Sequence, residues 1–141
     1  MKNKKILWGV GGIVAVLLAF IIVTATLPQE KVTNALPHKL TPSETIVAFN
    51  KAAKAGQIEE TKKYVASDIL TGFENGAFPH YGSYGGFISE YKNNTKSLKI
   101  VNEEIKGESA TVNAKLKDQN DFEEDEEYLL IKEDGKWKIA Q

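Results

Sequence analysis

Residues 71–91, TGFENGAFPHYGSYGGFISEY, hold the side chains best suited to binding or proton transfer. Phe73, Phe78, His80, Tyr81, Tyr84, Phe87 and Tyr91 crowd into this stretch, together with five glycines and one proline. Aromatic walls carrying a few polar tips are what small-molecule sites use, which makes Phe78, His80, Tyr81, Tyr84 and Phe87 the candidate ligand-binding residues. The preferred competing reading is a glycine-flexed loop that closes the open end of a small core, since small domains need all the apolar burial they can find. His80 with Tyr81, Tyr84 and Asp68 also holds the groups for acid/base chemistry. Nothing in their spacing demands it.

A second cluster is acidic. Residues 118–127, DQNDFEEDEE, contain seven acids in ten. As a loop between strands this run could bind calcium weakly or meet a basic partner, but it lacks the glycine and the alternate-ligand spacing of a calcium loop. The expectation is a solvated, self-repelling hairpin tip. Asn93-Asn94-Thr95 is formally a glycosylation sequon. There is no phosphate-cradling glycine loop, no HExxH and no nucleophile elbow. No catalytic residue, metal site or cofactor is therefore assigned, and the chain is not expected to be an enzyme.

Composition narrows the field further. The 141 residues include no cysteine, which excludes a disulfide framework, thiolate metal sites and cysteine nucleophiles. All 18 basic residues are lysine, so bidentate guanidinium clamps are unavailable. Residues 28–141 carry 15 Lys against 19 Asp and Glu, a net of −4, a poor match to nucleic acid or to anionic lipid headgroups.

The elements that must position these side chains can be read in order. Residues 1–5 form a short tip rich in lysine. Residues 6–27, ILWGVGGIVAVLLAFIIVTATL, contain no charge, and a helix of that length reaches about 33 Å, enough to cross a bilayer core of about 30 Å. With Lys2, Lys4 and Lys5 ahead of it, the amino end is expected in the cytoplasm and the remainder outside it. The alternative is a signal peptide cleaved near Ala25, after Val23-Thr24-Ala25, although the apolar run is longer than the usual core of such signals. Either way the rest of the chain is extracytoplasmic. Gly11, Ala15 and Ala19 form a small-residue stripe that would let two such helices pair. Residues 28–40 read as a linker, in which His38 is solvated.

Residues 41–141 read as one α+β domain. Thr41-Pro42-Ser43-Glu44 is a helix start with a capping box, and Gly56 is its left-handed stop. A second helix is expected over 57–66, with Ile58, Thr61 and Val65 inward. The glycines argue against a long regular element in 71–91, apart from a short helix near 84–92. From residue 97 the period changes to two: Ala110, Val112, Ala114 and Leu116 alternate with polar residues. Lys106-Gly107 is expected to turn the chain between the first two strands. Tyr128–Ile131 reads as a central strand, and Asp134-Gly135 as a two-residue hairpin before a last strand bearing Trp137 and Ile139. Helices first and an antiparallel meander after is the α+β order.

The stretches TPSETIVAFNKAAKAGQIEETKKYV at 41–65 and EYLLIKEDGKWKI at 127–139 resemble the small, membrane-anchored extracytoplasmic bacterial domains of the nuclear-transport-factor-2-like (cystatin-like α+β) superfamily. The resemblance implies a cone-shaped domain: amino-terminal helices packed on a bent antiparallel sheet, with room for a cavity. It also implies several functions. The first is a non-catalytic domain for protein interaction or ligand binding at the cell envelope. The others are an isomerase- or dehydratase-like enzyme using the cone cavity, and an accessory component of secretion or conjugation machinery. Fold alone does not choose among them. The partners expected are the membrane, through residues 6–27, and an unidentified protein; a homo-oligomer stays open.

Overall fold

Helix α1, Pro42–Lys54, begins at the expected box: Thr41 Oγ1 accepts from the Glu44 backbone N–H at 3.2 Å, and the Glu44 carboxylate accepts from the Thr41 N–H at 2.8 Å. Ile46, Phe49 and Ala53 make its buried face. Gly56, at φ +70°, turns the chain into the next helix. The computed structural model describes residues 38–141. The expected span at 6–27, Gly11, Ala15 and Ala19, the cleavage position at Ala25 and nearly all of the linker lie outside the described residues. Among those described, no helix is long and apolar enough to cross a membrane.

Helix α2 runs only Ile58–Lys62, shorter than the expected 57–66. The reason is competition from the sheet. Ala66 N–H donates to the Ile139 carbonyl and Ile139 N–H to the Tyr64 carbonyl, both at 2.8 Å, so Val65 is buried as a parallel bridge partner of Ile139 instead of on a helix face. Two further helices follow, α3 (Ser67–Glu74) and α4 (Tyr84–Asn94), the latter capped by Ser83 Oγ accepting from Gly86 N–H at 3.0 Å. Helix α3 replaces part of the loop expected over 71–91.

Four strands complete the domain: β1 (Thr95–Lys106), β2 (Ser109–Asp118), β3 (Glu123–Glu133) and β4 (Lys136–Ile139). They form one antiparallel meander in the order β1-β2-β3-β4. The first turn uses Gly107 and Glu108, with Gly107 at φ +62°. At the second turn the Asp118 carboxylate accepts from the N–H groups of Asn120 at 2.7 Å and Phe122 at 2.9 Å. Asp134 and Gly135 both have positive φ, 51° and 73°, the signature of a tight two-residue hairpin. The acidic run is therefore a hairpin tip only over 118–122. Glu123–Glu127 are strand residues, and Lys115 on β2 reaches Glu123 at 3.1 Å and Asp125 at 2.9 Å.

Paired residues across an antiparallel ladder share a face. Ala110, Val112 and Ala114 on β2, Leu130 on β3, and Trp137 and Ile139 on β4 are all buried, and this inner face of the bent sheet packs on the helices. Lys132 Nζ lies 4.9 Å from the centre of the Trp137 ring. A bulge at Val101 shifts the alternation of β1. Leu98 and Ile100 face inward before it, opposite Leu116 and Ala114, and Glu103 and Ile105 face inward after it, opposite Val112 and Ala110.

Candidate functional site

The aromatic stretch assembles as ring against ring. Phe73 on α3 lies 4.4 Å from Phe78, 5.3 Å edge-on from Tyr84 and 5.7 Å from Phe87, centre to centre. Tyr81 meets Phe87 edge-on at 5.1 Å, and Phe87 stacks toward Phe49 of α1 at 6.5 Å. Glycine makes these approaches feasible. A Cβ on Gly72 would sit 2.9 Å from the Phe78 ring, and one on Gly86 would sit 2.1 Å from the Tyr81 carbonyl oxygen. Tyr84 is buried, and its hydroxyl donates to Thr61 Oγ1 at 2.9 Å, which in turn donates to the Ile58 carbonyl at 2.6 Å. Burial pushes the Tyr84 phenol above its ordinary range.

Of the candidate residues, Phe78, Tyr81, Tyr84 and Phe87 are thus gathered around Phe73. His80 stands at the outside. Its side chain is 78% exposed, its Nε2 lies 3.6 Å from Glu90, and its ring meets Tyr81 edge-on at 5.0 Å. Among the described residues, no hydrogen bond joins His80, Tyr81, Tyr84 and Asp68 to one another.

A different constellation occupies the far end of the inner face. Tyr91 leaves the last turns of α4 and donates to Asn50 Oδ1 of α1 at 2.9 Å. Tyr128 on β3 and Thr95 at the head of β1 lie near Tyr91. Phe49 packs edge-on to Tyr91 at 5.5 Å, which ties this end to the aromatic group. Pairing of Ala114 with Glu126 and of Leu116 with Glu124 puts both carboxylates on the inner face beyond Tyr128. A cavity of about 140 Å³ is lined by Asn94, Thr95, Leu116, Phe122 and Glu124, among others, and Thr95 joins it to the tyrosine pair. Tyr128, Asn50, Thr95 and Glu126 were not among the sequence candidates. Residues 123–127 are acidic at every position, so the sequence holds no alternation that would set Glu124 and Glu126 on one face with Tyr128.

The electrostatics of this mouth have one direction. Burial and then the negative charge of Glu126 push the Tyr128 phenol up to about 12, against the lowering effect of its bond with Tyr91. Burial, chiefly, carries the Tyr91 phenol further above its ordinary range, and Tyr128 and Glu126 add to it. Both phenols stay protonated across physiological pH. Among the described residues, no group of three His, Asp or Glu side chains could hold a metal ion.

Residues 37–140 match the model of a family described as a domain of unknown function, DUF4878. The chain belongs to that family. No curated protein matches it. Solved structures agree on the fold. A protein from Campylobacter jejuni, named as a proposed NTF2-like transpeptidase, superposes with a TM-score of 0.55 at 18% identity, over 72% of this chain and 99% of that one. A SEC-C motif containing protein from Rhodopseudomonas palustris gives 0.53 at 12% identity, over 72% and 76%. An NTF2-like protein of unknown function from Cytophaga hutchinsonii gives 0.44 at 12%, over 74% and 91%. At such identities the first two likenesses concern fold alone, and the first agrees with the NTF2-like α+β architecture expected for residues 41–141.

Proposed function

We propose that the chain is a single-pass envelope protein, anchored through residues 6–27, whose extracytoplasmic NTF2-like domain binds at the inner-face mouth and does not catalyse a reaction. The observation that carries this reading is the recess lined by Asn94, Thr95, Leu116, Phe122 and Glu124 at the carboxyl end of α4, whose Tyr91 donates to Asn50. Isomerases and dehydratases that work through an enolate need a place where negative charge is welcomed as it develops. At this mouth the Tyr91 hydroxyl is already given to Asn50 Oδ1, and Glu124 and Glu126 bring negative charge to the same face. A neutral or cationic group, presented by a ligand or by a partner protein, suits two hydrogen-bonding phenols flanked by carboxylates far better. The aromatic group of Phe73, Phe78, Tyr81 and Phe87 supports the same view, because its rings fill one another's contacts. A non-catalytic binding domain is also the reading most compatible with a chain that carries no recognisable catalytic motif.

The test is photocrosslinking in intact cells, with a photoreactive residue placed at Phe122 or Glu124 on the mouth, or at Asp125 on the outer face. A discrete adduct from the mouth positions and not from Asp125 supports the reading. Equal labelling from all three, or none with the protein present and folded, removes it. The anchor is tested separately. The chain has no cysteine, so a Lys39→Cys variant in intact cells reacts with a membrane-impermeant thiol reagent only if residue 39 lies outside.

A further inference from the structure

The two edges of the sheet are treated differently. The β4 edge is covered: Tyr64 and Ala66 pair with Ile139, and the Lys138 ammonium donates to the Lys63 carbonyl. Among the described residues the β1 edge pairs with no further strand, although β1 is 12 residues long; at its head the Lys54 ammonium donates to the Lys96 carbonyl. Exposed strand edges are usually blunted by charges of one sign, by bulges or by a covering segment. On β1 the first half carries Lys96 and Lys99, and the second carries Glu103 and Glu104 followed by Lys106 at its end. Two apolar side chains stand among them, Val101 at 41% and Ile105 at 50% exposed.

We propose that the β1 edge is a self-complementary docking strand that pairs antiparallel with β1 of a second copy of this chain. The bulge at Val101 sets the register. It moves the inner-facing positions from Leu98 and Ile100 to Glu103 and Ile105. An antiparallel partner therefore matches inner with inner and outer with outer only when residues before the bulge meet residues after it. The pairing that does this sets Leu98 against Ile105 of the second copy, Lys99 against its Glu104, Ile100 against its Glu103, and Val101 against its Asn102. Two-fold symmetry makes each contact twice. Lys99 and Glu104 share the outer face, being opposite Lys115 and Thr111 on β2, so the two opposite charges meet on one side of the joined sheet. Lys99 makes no ion pair among the described residues, whereas Glu104 holds Lys106 at 3.0 Å in a solvent-exposed pair that association can exchange at little cost. Glu103 enters already engaged, since its carboxylate accepts from the Ser43 N–H at 2.7 Å. Ile105, half exposed at the end of the inner face, gains Leu98 of the second copy as a cover.

The experiment is the mass of the full chain in detergent micelles, followed across protein concentration. The expected result is a dimer. Lys99→Glu weakens it by about tenfold or more, because two opposite-charge contacts become like-charge ones at once. Glu104→Lys has the same effect, and the combined Lys99→Glu, Glu104→Lys variant restores the dimer. The rescue also shows that the single variants fail at the interface and not by misfolding. A monomer at all concentrations overturns the proposal. So does a dimer indifferent to both single variants, which would place association elsewhere, including the small-residue stripe of Gly11, Ala15 and Ala19.

Discussion

Two groups of aromatic side chains line the same inner surface and do opposite things with their polar tips. Around Phe73, the rings of Phe78, Tyr81, Tyr84 and Phe87 meet one another, and the one buried hydroxyl, on Tyr84, is consumed by Thr61. At the mouth, Tyr91 gives its hydroxyl to the Asn50 amide oxygen, and Tyr128 lies near it with Glu126 next along the inner face. The sequence offers the first group as the site because seven aromatic or histidine residues fall within 21 positions. The second group is scattered over residues 50 to 128 and is united only by the register of β2 with β3. Density along the chain marks packing here, and convergence in space marks chemistry.

The comparison can be broken or sharpened by substitution. Phe49 touches both groups, through Phe87 and through Tyr91. Phe49→Ala should therefore cause the largest loss, about 3–5 kcal/mol of unfolding free energy in denaturant titration. A cost below about 1 kcal/mol would mean the two groups do not share a core. Tyr91→Phe leaves the Asn50 oxygen without its donor and should cost about 1–3 kcal/mol. Tyr84→Phe removes a donor from a Thr61 that still donates to Ile58, and should cost about 1 kcal/mol. If the order of these two were reversed, the polar economy assigned to the mouth would belong to the packed group instead.

The pH dependence separates the groups further. Tyr128 titrates higher in the folded domain, about 12, than the ordinary 10 it regains on unfolding. Its contribution to stability is therefore complete below about pH 10 and is lost as pH rises through about 12. Glu126→Gln should draw the Tyr128 phenol down toward its ordinary value, which an absorbance titration of phenolate in the folded protein would register. An unchanged phenol would show that Glu126 does not shape the mouth. The smallest effect belongs to His80→Ala. The side chain is largely exposed and its contact with Glu90 is long, so stability should change by less than about 0.5 kcal/mol.

Much of the frame was legible from the residues alone. The Thr41 and Glu44 box, the stop at Gly56, the alternation of Ala110, Val112 and Ala114, and the Asp134-Gly135 hairpin are local signals, and each does locally what its chemistry dictates. Three features were not legible because their causes are distant. Val65 leaves its helix for a bridge to Ile139, a partner far along the chain. Gly72 reads as a breaker, yet it lies inside a helix, where its missing Cβ admits the Phe78 ring, and Gly86, inside the short helix expected near 84–92, leaves room for the Tyr81 carbonyl. The acids of 123–127 read as a repelling tip because the lysine that accommodates two of them, Lys115, is on the neighbouring strand. The Val101 bulge had no sequence mark at all. Within the candidate site, the ring cluster was visible as composition, but the mouth needed the strand register.

The clasp between residues 64–66 and β4 carries a consequence for the time course of folding. The hairpins of the meander close over two to four residues and form early, whereas Lys138 and Lys63, at one end of the clasp, are 75 positions apart. The sheet is therefore expected to exist before its last edge is sealed. During that interval the β4 side is as open as the β1 side remains in the finished domain. Pulse-labelling hydrogen exchange should find the amides of Ala66 and Ile139 protected later than those of Val112 and Leu130. A chain still folding would spend that interval with two open flanks, which makes the 64–66 segment the point where an encounter with another chain would first be felt.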